Sequence, residues 1–315
     1  MTAPVLLPAL TATARGAAHR TPGPCACPAP GAVLADRADG TVVRHGDIVA
    51  KAHAPGTDPA ELNARLAAAA ALPGVLLPPL TPVAADLHDR LVTFWPHGSP
   101  VDPDAPEHAP WEDAATLLAR LHAVPVAELP GPLPPMRGPV KAALAVARLL
   151  AAGPHPASAP ILRAWSGLPP WARAETPGKH ASALCHGDLH LGQLVRRPAG
   201  TGPWLLIDVD DLGTGDPAWD LARPAAWFAC GLLAAQEWTR FLAAYQETGG
   251  APSLQGDPWP ALDAPARALT VQTAALAVAK AAAAGRALDE AEEALVDACD
   301  RMAAVPAELA HGAAK

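Results

Sequence analysis

The sequence predicts an α+β protein in two lobes: a small antiparallel sheet carrying one helix, then a larger and mainly helical region. Short β-branched runs separated by Asp-Gly and Gly-Asp fill residues 31–54, and a well-marked helix follows them. After residue 98 the chain is dominated by stretches with helical periodicity. At 315 residues the chain is long enough for two compact units.

Residues 1–29 are rich in Pro, Ala, Thr and Gly without a stable hydrophobic period, and read as a flexible Pro/Ala-rich tail. The segment GAVLADRADGTVVRHGDIVAKAHAPG then reads as an antiparallel meander whose last strand holds Lys51. Asp58 as N-cap, Pro59 at the first helical position, Glu61 three residues after the cap and a Leu72-Pro73-Gly74 stop define the helix. VLLPPL and DRLVTFWPHGSPV supply further strands, the second ending in a Trp-Pro-His-Gly turn. The first lobe therefore covers residues 30–98 and the helical lobe residues 99–315. WEDAATLLARLHAVP, GPVKAALAVARLLAA and later alanine-rich stretches form the helices. One interruption at about residues 183–210, ALCHGDLHLGQLVRRP followed by WLLIDVDD, reads as a loop with two short strands.

Lys and Arg number 23 against 31 Asp and Glu, a formal charge of −8, with no dense basic cluster, which points away from nucleic acid. Charged residues and prolines break every long alanine-rich stretch, so no membrane span is expected. The N-terminal segment lacks a basic region before its short apolar run and makes a poor signal peptide, leaving the cytoplasm as the expected location. Cys25, Cys27, Cys185, Cys230 and Cys299 form an odd, scattered set, expected to be reduced thiols. Cys25 and Cys27 offer half of a zinc site, but no second Cys/His pair at metal-ligand spacing accompanies them.

The chemistry concentrates in the interruption. His186-Gly187-Asp188-Leu189-His190-Leu191-Gly192-Gln193 places a carboxylate five residues before an amide side chain, on a loop running into a strand. Phosphoryl transfer needs a carboxylate to orient the attacking hydroxyl and accept its proton, with oxygen ligands nearby for a divalent cation. Asp188 suits the first role. Asp208, at the end of Leu205-Leu206-Ile207, offers a second carboxylate of the hard-oxygen type that suits Mg²⁺.

HGDLHLGQ resembles the HGDxxxxN catalytic loop of the aminoglycoside phosphotransferase and choline kinase superfamily, itself similar to the HRDxxxxN loop of protein kinases. IDVDDLGTGDPAWDLA resembles that superfamily's metal-binding segment, and LLARLHAVP its helix ending in Leu-His. The three occur in the family's order. The resemblance implies a bilobal protein-kinase-like fold and an ATP- and Mg²⁺-dependent small-molecule kinase acting on a hydroxyl acceptor. It implies Asp188 as catalytic base, Gln193 and Asp208 as magnesium ligands, and Lys51 as the contact to the α- and β-phosphates.

The family also expects a helix glutamate paired with the lysine, and Glu61 is the candidate. Phe94-Trp95-Pro96-His97-Gly98 would be the adenine-binding hinge; Pro96 removes one donor, which leaves the backbone groups of Phe94, Trp95 and His97. Position 193 is Gln where the family has Asn, and no GxGxxG precedes Lys51, which counts against a protein kinase. The alternative is a catalytically impaired nucleotide-binding or scaffold protein, resting on Gln193 and the displaced helix glutamate. His186 reads as a loop-holding residue, Asp216 and Asp220 as a helix cap and a brace, and His122 as packing beneath the loop. Cys185 next to His186 is no nucleophile–base pair, because neighbours on an extended chain point opposite ways.

Overall fold

The structure is a computed structural model that describes residues 3–19, 25, 27, 31–37, 39–178 and 183–304. The chain divides into two compact units: Met1–Ala109 with Ala127–Pro134 and Leu191–Asp210, and Pro110–Val126 with Pro135–His190 and Asp211–Lys315. Among the described residues no helix is long and apolar enough to cross a membrane.

The first unit is built on helix α1 (Ala3–Ala18), strands β1 (Ala32–Arg37), β2 (Gly40–His45) and β3 (Ile48–Ala52), helix α2 (Pro59–Ala71), and strands β4 (Ala85–Leu87) and β5 (Arg90–Pro96). The sheet is antiparallel throughout, in the order β1-β2-β3-β5-β4. Gly46, at φ +59°, takes the first position of the two-residue turn joining β2 to β3, a place where glycine suits the twist of a tight hairpin. Lys51 sits mid-sheet, opposite Val42 on one side and Thr93 on the other. Asp58 caps α2 as expected, accepting from the amides of Ala60 and Glu61.

Strand alternation gives the sheet two apolar faces. Val43, Ala50, Ala52 and Val92, with Phe94 at the edge, pack against Leu10 and Ala14 of α1. A flexible tail was expected over residues 1–29, but Ala3–Ala18 form this helix; residues 20–24, 26, 28 and 29 lie outside the described residues. Two prolines obscure the helical signal. Pro4 falls in the first turn, where no donor is needed, and Pro8 removes only a bond back to that turn. Leu6, Leu10 and Ala14 nevertheless recur every four residues and face the sheet.

A second departure concerns residues 191–210, expected in the helical lobe. Leu194–Arg196 pairs with strand β6 (Ser99–Pro100) and with Trp204–Leu206, and Leu206 exchanges backbone hydrogen bonds with Val75 and Leu77. The segment thereby belongs to the first unit. VLLPPL was expected to be a strand and forms only an isolated bridge from Leu76 to Leu206, since Pro78 and Pro79 cannot donate to a ladder.

The second unit holds helices α3 (Trp111–His122), α4 (Gly138–Ala151), α5 (Ser158–Ser166), α6 (Ala218–Ala229), α7 (Ala235–Glu247), α8 (Trp259–Ala284) and α9 (Glu290–Ala304). Helix α8 packs against α4, α5, α6 and α9, which explains why its apolar residues surround it instead of forming one stripe. A two-stranded ribbon, Ala183–Cys185 with Gly213–Gly215, carries the loop that follows Cys185.

Candidate active site

The sheet face opposite α1 forms one wall of a cavity of about 300 Å³ within the first unit. Val42, Val49 and Trp95 line it from the sheet, and Leu77, Val195 and Ile207 line it from the returning segment. Lys51, His53, Gln193, Asp208 and Asp210 supply its polar groups. An apolar slot with a few convergent polar groups is the usual form of a small-ligand site.

Lys51 Nζ lies 2.6 Å from Asp208 Oδ1 and 2.9 Å from Asp210 Oδ2. Burial alone would lower the lysine's pKa, but the two carboxylates raise it above its ordinary value, so Lys51 stays charged. Burial likewise would raise Asp210, and Lys51 together with His53, whose Nδ1 is 3.0 Å away, pulls it far below the usual carboxylate range. Asp208 adopts φ +66°, a left-handed conformation uncommon for a residue with a side chain and found at strained functional positions. Its Oδ1 also accepts from the Asp210 amide at 3.3 Å. Gln193, nearly buried, holds the Ile207 amide through its own carbonyl at 2.9 Å, one residue before Asp208. Gln193 and Asp208 thus offer oxygen donors to the same cavity, a set that suits a hard cation.

Three expected contacts are corrected. Glu61 does not meet Lys51: it is half exposed and pairs with Arg65 one turn on along α2, at 3.3 Å, while Asp208 and Asp210 take the lysine. His97, a hinge candidate, lines the cavity, but its amide donates to the Asp47 carbonyl at 2.8 Å and its carbonyl accepts from Arg197 Nη1 at 2.6 Å, so both backbone groups are engaged. Phe94 packs on the α1 face, and its carbonyl accepts from the Leu80 amide. Trp95 does line the cavity, its indole N–H donating to Thr93 Oγ1 at 2.9 Å. Gly98, the next residue after His97, lines it too.

Asp188 belongs to the second unit and is gripped from two sides. Arg223 Nη2 lies 2.6 Å from Oδ1, and Lys141 Nζ lies 2.7 Å from Oδ2. Burial would raise the carboxyl, but Lys141 and Arg223 hold it at about 2. Arg223 Nε also donates to the Leu189 carbonyl, tying the cation to the loop it serves. Lys141 reaches Asp211 at 2.7 Å as well, while burial of Asp211 keeps its own pKa above the ordinary value. A recess of about 10 Å³, room for a single water-sized group, adjoins Asp188 and is lined by Leu189, Trp219, Arg223, Leu269 and Gln272.

The loop itself hangs on Asp220. This wholly buried carboxylate accepts from the amides of His186 and Gly187, each at 2.7 Å, and contacts His122 Nε2 at 2.9 Å. His122 Nδ1 in turn meets the Tyr245 hydroxyl at 2.7 Å. Burial would raise Asp220, and His122, with His186 and the Gly187 amide, lowers it instead. Gly187 has φ +84°, and a Cβ there would collide with the Asp211 carbonyl, so no other residue fits. Asp216 accepts from the Ala218 amide at the start of α6. Burial pushes the Cys185 thiol well up, consistent with an inert core residue.

Lys141, Arg223, Asp210 and His53 were not singled out by the sequence. A signal did exist: the chain has only five lysines, and Lys51 and Lys141 are two of them. Where arginine supplies most positive charge, a lysine marks a place that suits a compact cation on a flexible stem.

Residues 33–264 match the model of the phosphotransferase enzyme family. No curated protein matches the sequence. Among solved structures, a choline/ethanolamine kinase family protein from Mesorhizobium loti aligns at 18% identity over 94% of this chain and 96% of its own, with a TM-score of 0.58. A spectinomycin phosphotransferase in complex with ADP and spectinomycin aligns at 14% identity over 88% and 90%, with a TM-score of 0.55. A thermostable mutant of an aminoglycoside phosphotransferase, in ternary complex with AMP-PNP and hygromycin B, aligns at 16% identity over 90% and 95%, with a TM-score of 0.55. These likenesses establish the kinase-like fold, a small antiparallel sheet region with a helical region after it. With its family model matched over most of its length, the chain belongs to the phosphotransferase enzyme family.

Proposed function

We propose that the chain is an ATP- and Mg²⁺-dependent phosphotransferase that moves the γ-phosphate to a hydroxyl of a small molecule: an aminoglycoside-like antibiotic, a sugar or an amino alcohol. The carrying observation is the cavity that holds Lys51, Asp208 and Gln193 together beside an apolar slot. The slot suits a nucleobase and the polar residues suit a charged chain of phosphates. Mg²⁺ bound there would neutralise negative charge on the phosphate oxygens.

Lys51 supplies a fixed positive charge to the phosphates, and Asp208 with Gln193 supplies metal ligands. Gly98 replaces His97 as the hinge amide offered to the base, because both backbone groups of His97 are taken. Asp188 orients the attacking hydroxyl. With a pKa held at about 2 it is a weak base, which fits a loose transition state that asks for alignment more than early deprotonation. Each of its oxygens retains a lone pair beyond its ion pair, so either can accept the hydroxyl proton late in transfer. Gln272 Oε1 is buried without a hydrogen-bond partner among the described residues and lines the same recess, where a donor on the acceptor molecule would satisfy it.

The test is acceptor-stimulated ADP formation with Mg-ATP across aminoglycosides, maltose, choline and homoserine, for wild type and Asp188→Asn. Turnover with one acceptor class, falling about 10²–10⁴-fold in the variant while Mg-ATP still raises the melting temperature, is expected. No ADP formation with any acceptor, together with no thermal response to Mg-ATP, contradicts the reading.

A further inference from the structure

Beside α1 and the β2–β3 turn, away from the residues of the proposed reaction, four ligand-type side chains converge. His19, Cys25, Cys27 and His45 each bring one donor atom into a cluster in which all four atoms lie within 4.8 Å of one another. His19 Nε2 is 3.0 Å from Cys25 Sγ, 3.1 Å from His45 Nε2 and 3.4 Å from Cys27 Sγ, and Cys25 Sγ is 3.2 Å from His45 Nε2. A ring nitrogen carries either one proton or one lone pair, so three such approaches to a single nitrogen cannot all be hydrogen bonds. Lone pairs aimed at a common cation account for all of them.

The spacing suits one ion. Zinc–nitrogen bonds of about 2.0–2.1 Å and zinc–sulfur bonds of about 2.3 Å place tetrahedral ligand atoms roughly 3.3–3.8 Å apart. The 3.4 Å distance falls within that range, and the 3.0, 3.1 and 3.2 Å distances fall just short of it, a spread that a bound ion would open slightly. Two thiolates and two neutral imidazoles balance a divalent charge, and this soft-to-borderline donor set excludes magnesium and calcium. The amide of Cys27 donates to Cys25 Sγ at 3.3 Å, the outer-sphere support that thiolate ligands receive at metal centres. All four ligands come from protein side chains, as in structural sites, which leave no position open for catalysis.

We propose that His19, Cys25, Cys27 and His45 bind a structural zinc ion. Cys25 and Cys27 were the half-site visible in sequence. The missing half comes from the residue after α1 and from the last residue of β2. The ion thereby fastens the end of α1 to the sheet that α1 covers. It shares no residue with the cavity holding Lys51 and Asp208, so it stands or falls independently of the phosphotransferase reading.

The experiment is elemental analysis of the full chain, purified under reducing conditions without chelator, for wild type, the Cys25→Ser/Cys27→Ser double variant, His19→Ala and a Cys230→Ser control. About one zinc per chain in wild type and control, lost in the double variant and reduced in His19→Ala, is expected. Removing zinc from wild type with a strong chelator is expected to lower the melting temperature, and adding Zn²⁺ to restore it. Because the variants risk misfolding, wild type is also reconstituted with Co²⁺, where a thiolate-to-cobalt charge-transfer band is expected. Wild type that neither carries zinc nor takes up Zn²⁺ or Co²⁺ overturns the site. So does zinc content unchanged in the double variant, a different metal at the same stoichiometry, or a Cys25–Cys27 disulfide in protein isolated under reducing conditions.

Discussion

At the scale of single residues, the distinctive feature is how firmly Asp188 is held. Its carboxylate meets Arg223 at 2.6 Å and Lys141 at 2.7 Å, and its pKa lies near 2 against an ordinary value of about 3.9. A group whose folded pKa is depressed contributes stability that is fully present above its unfolded pKa and is lost as pH falls toward the folded one. Here the window runs from about pH 4 down to about pH 2. A shift of this size corresponds to roughly 2–3 kcal/mol. Arg223→Ala should therefore cost more stability at about pH 6 than at about pH 3, as read by urea unfolding at the two pH values. An equal loss at both would show that Arg223 serves packing and its bond to Leu189, not the charge of Asp188. The sequence pointed to Asp188, Gln193, Asp208 and Lys51 through motifs and spacing. It could not show Arg223 or Asp210, whose importance comes from contacts made across the fold.

At the scale of elements, α1 and the hinge carry the informative tests. Helix α1 covers an apolar sheet face through Leu10 and Ala14, both wholly buried. Leu10→Ala should cost about 2–5 kcal/mol in chemical unfolding, the usual range for truncating a buried leucine. A change under about 0.5 kcal/mol, typical of exposed sites, would mean that α1 does not cover the sheet. At the proposed hinge, a Cβ on Gly98 would lie 2.7 Å from Val195 Cβ and 3.0 Å from the Arg196 carbonyl. Gly98→Ala should thus destabilise the chain by about 1–3 kcal/mol and weaken ATP binding, measured by calorimetry. Unchanged ATP affinity would remove Gly98 from the nucleotide contact. The meander and α2 were legible because alternation and capping are local signals, as at Asp58 and Pro59. Helix α1 was not, because Pro4 and Pro8 broke its pattern and the face that buries Leu10 is supplied by residues more than thirty positions away.

At the scale of the whole chain, the motif HGDLHLGQ spans the boundary of two compact units in sequence: Asp188 belongs to one, Gln193 to the other. A single boundary at residue 98 was the natural reading of composition, since the helices begin there. The return of residues 191–210 depends on the pairing of Leu194–Arg196 with Ser99–Pro100, a long-range register that no local pattern announces. The zinc cluster illustrates the same limit, for Cys25 and Cys27 are separated by one residue in sequence while His45 arrives by the course of β2. The central claim is that this chain transfers the γ-phosphate of ATP to a small-molecule hydroxyl. Its most direct test follows the γ-phosphate itself: label on the terminal phosphate, Mg²⁺, the acceptor panel, and single-turnover amounts of wild type or Asp188→Asn. The account predicts label on an acceptor hydroxyl with wild type, abolished by chelating the magnesium and strongly slowed in Asp188→Asn. Label that remains on ATP with every acceptor, or that moves equally fast in Asp188→Asn, would contradict it.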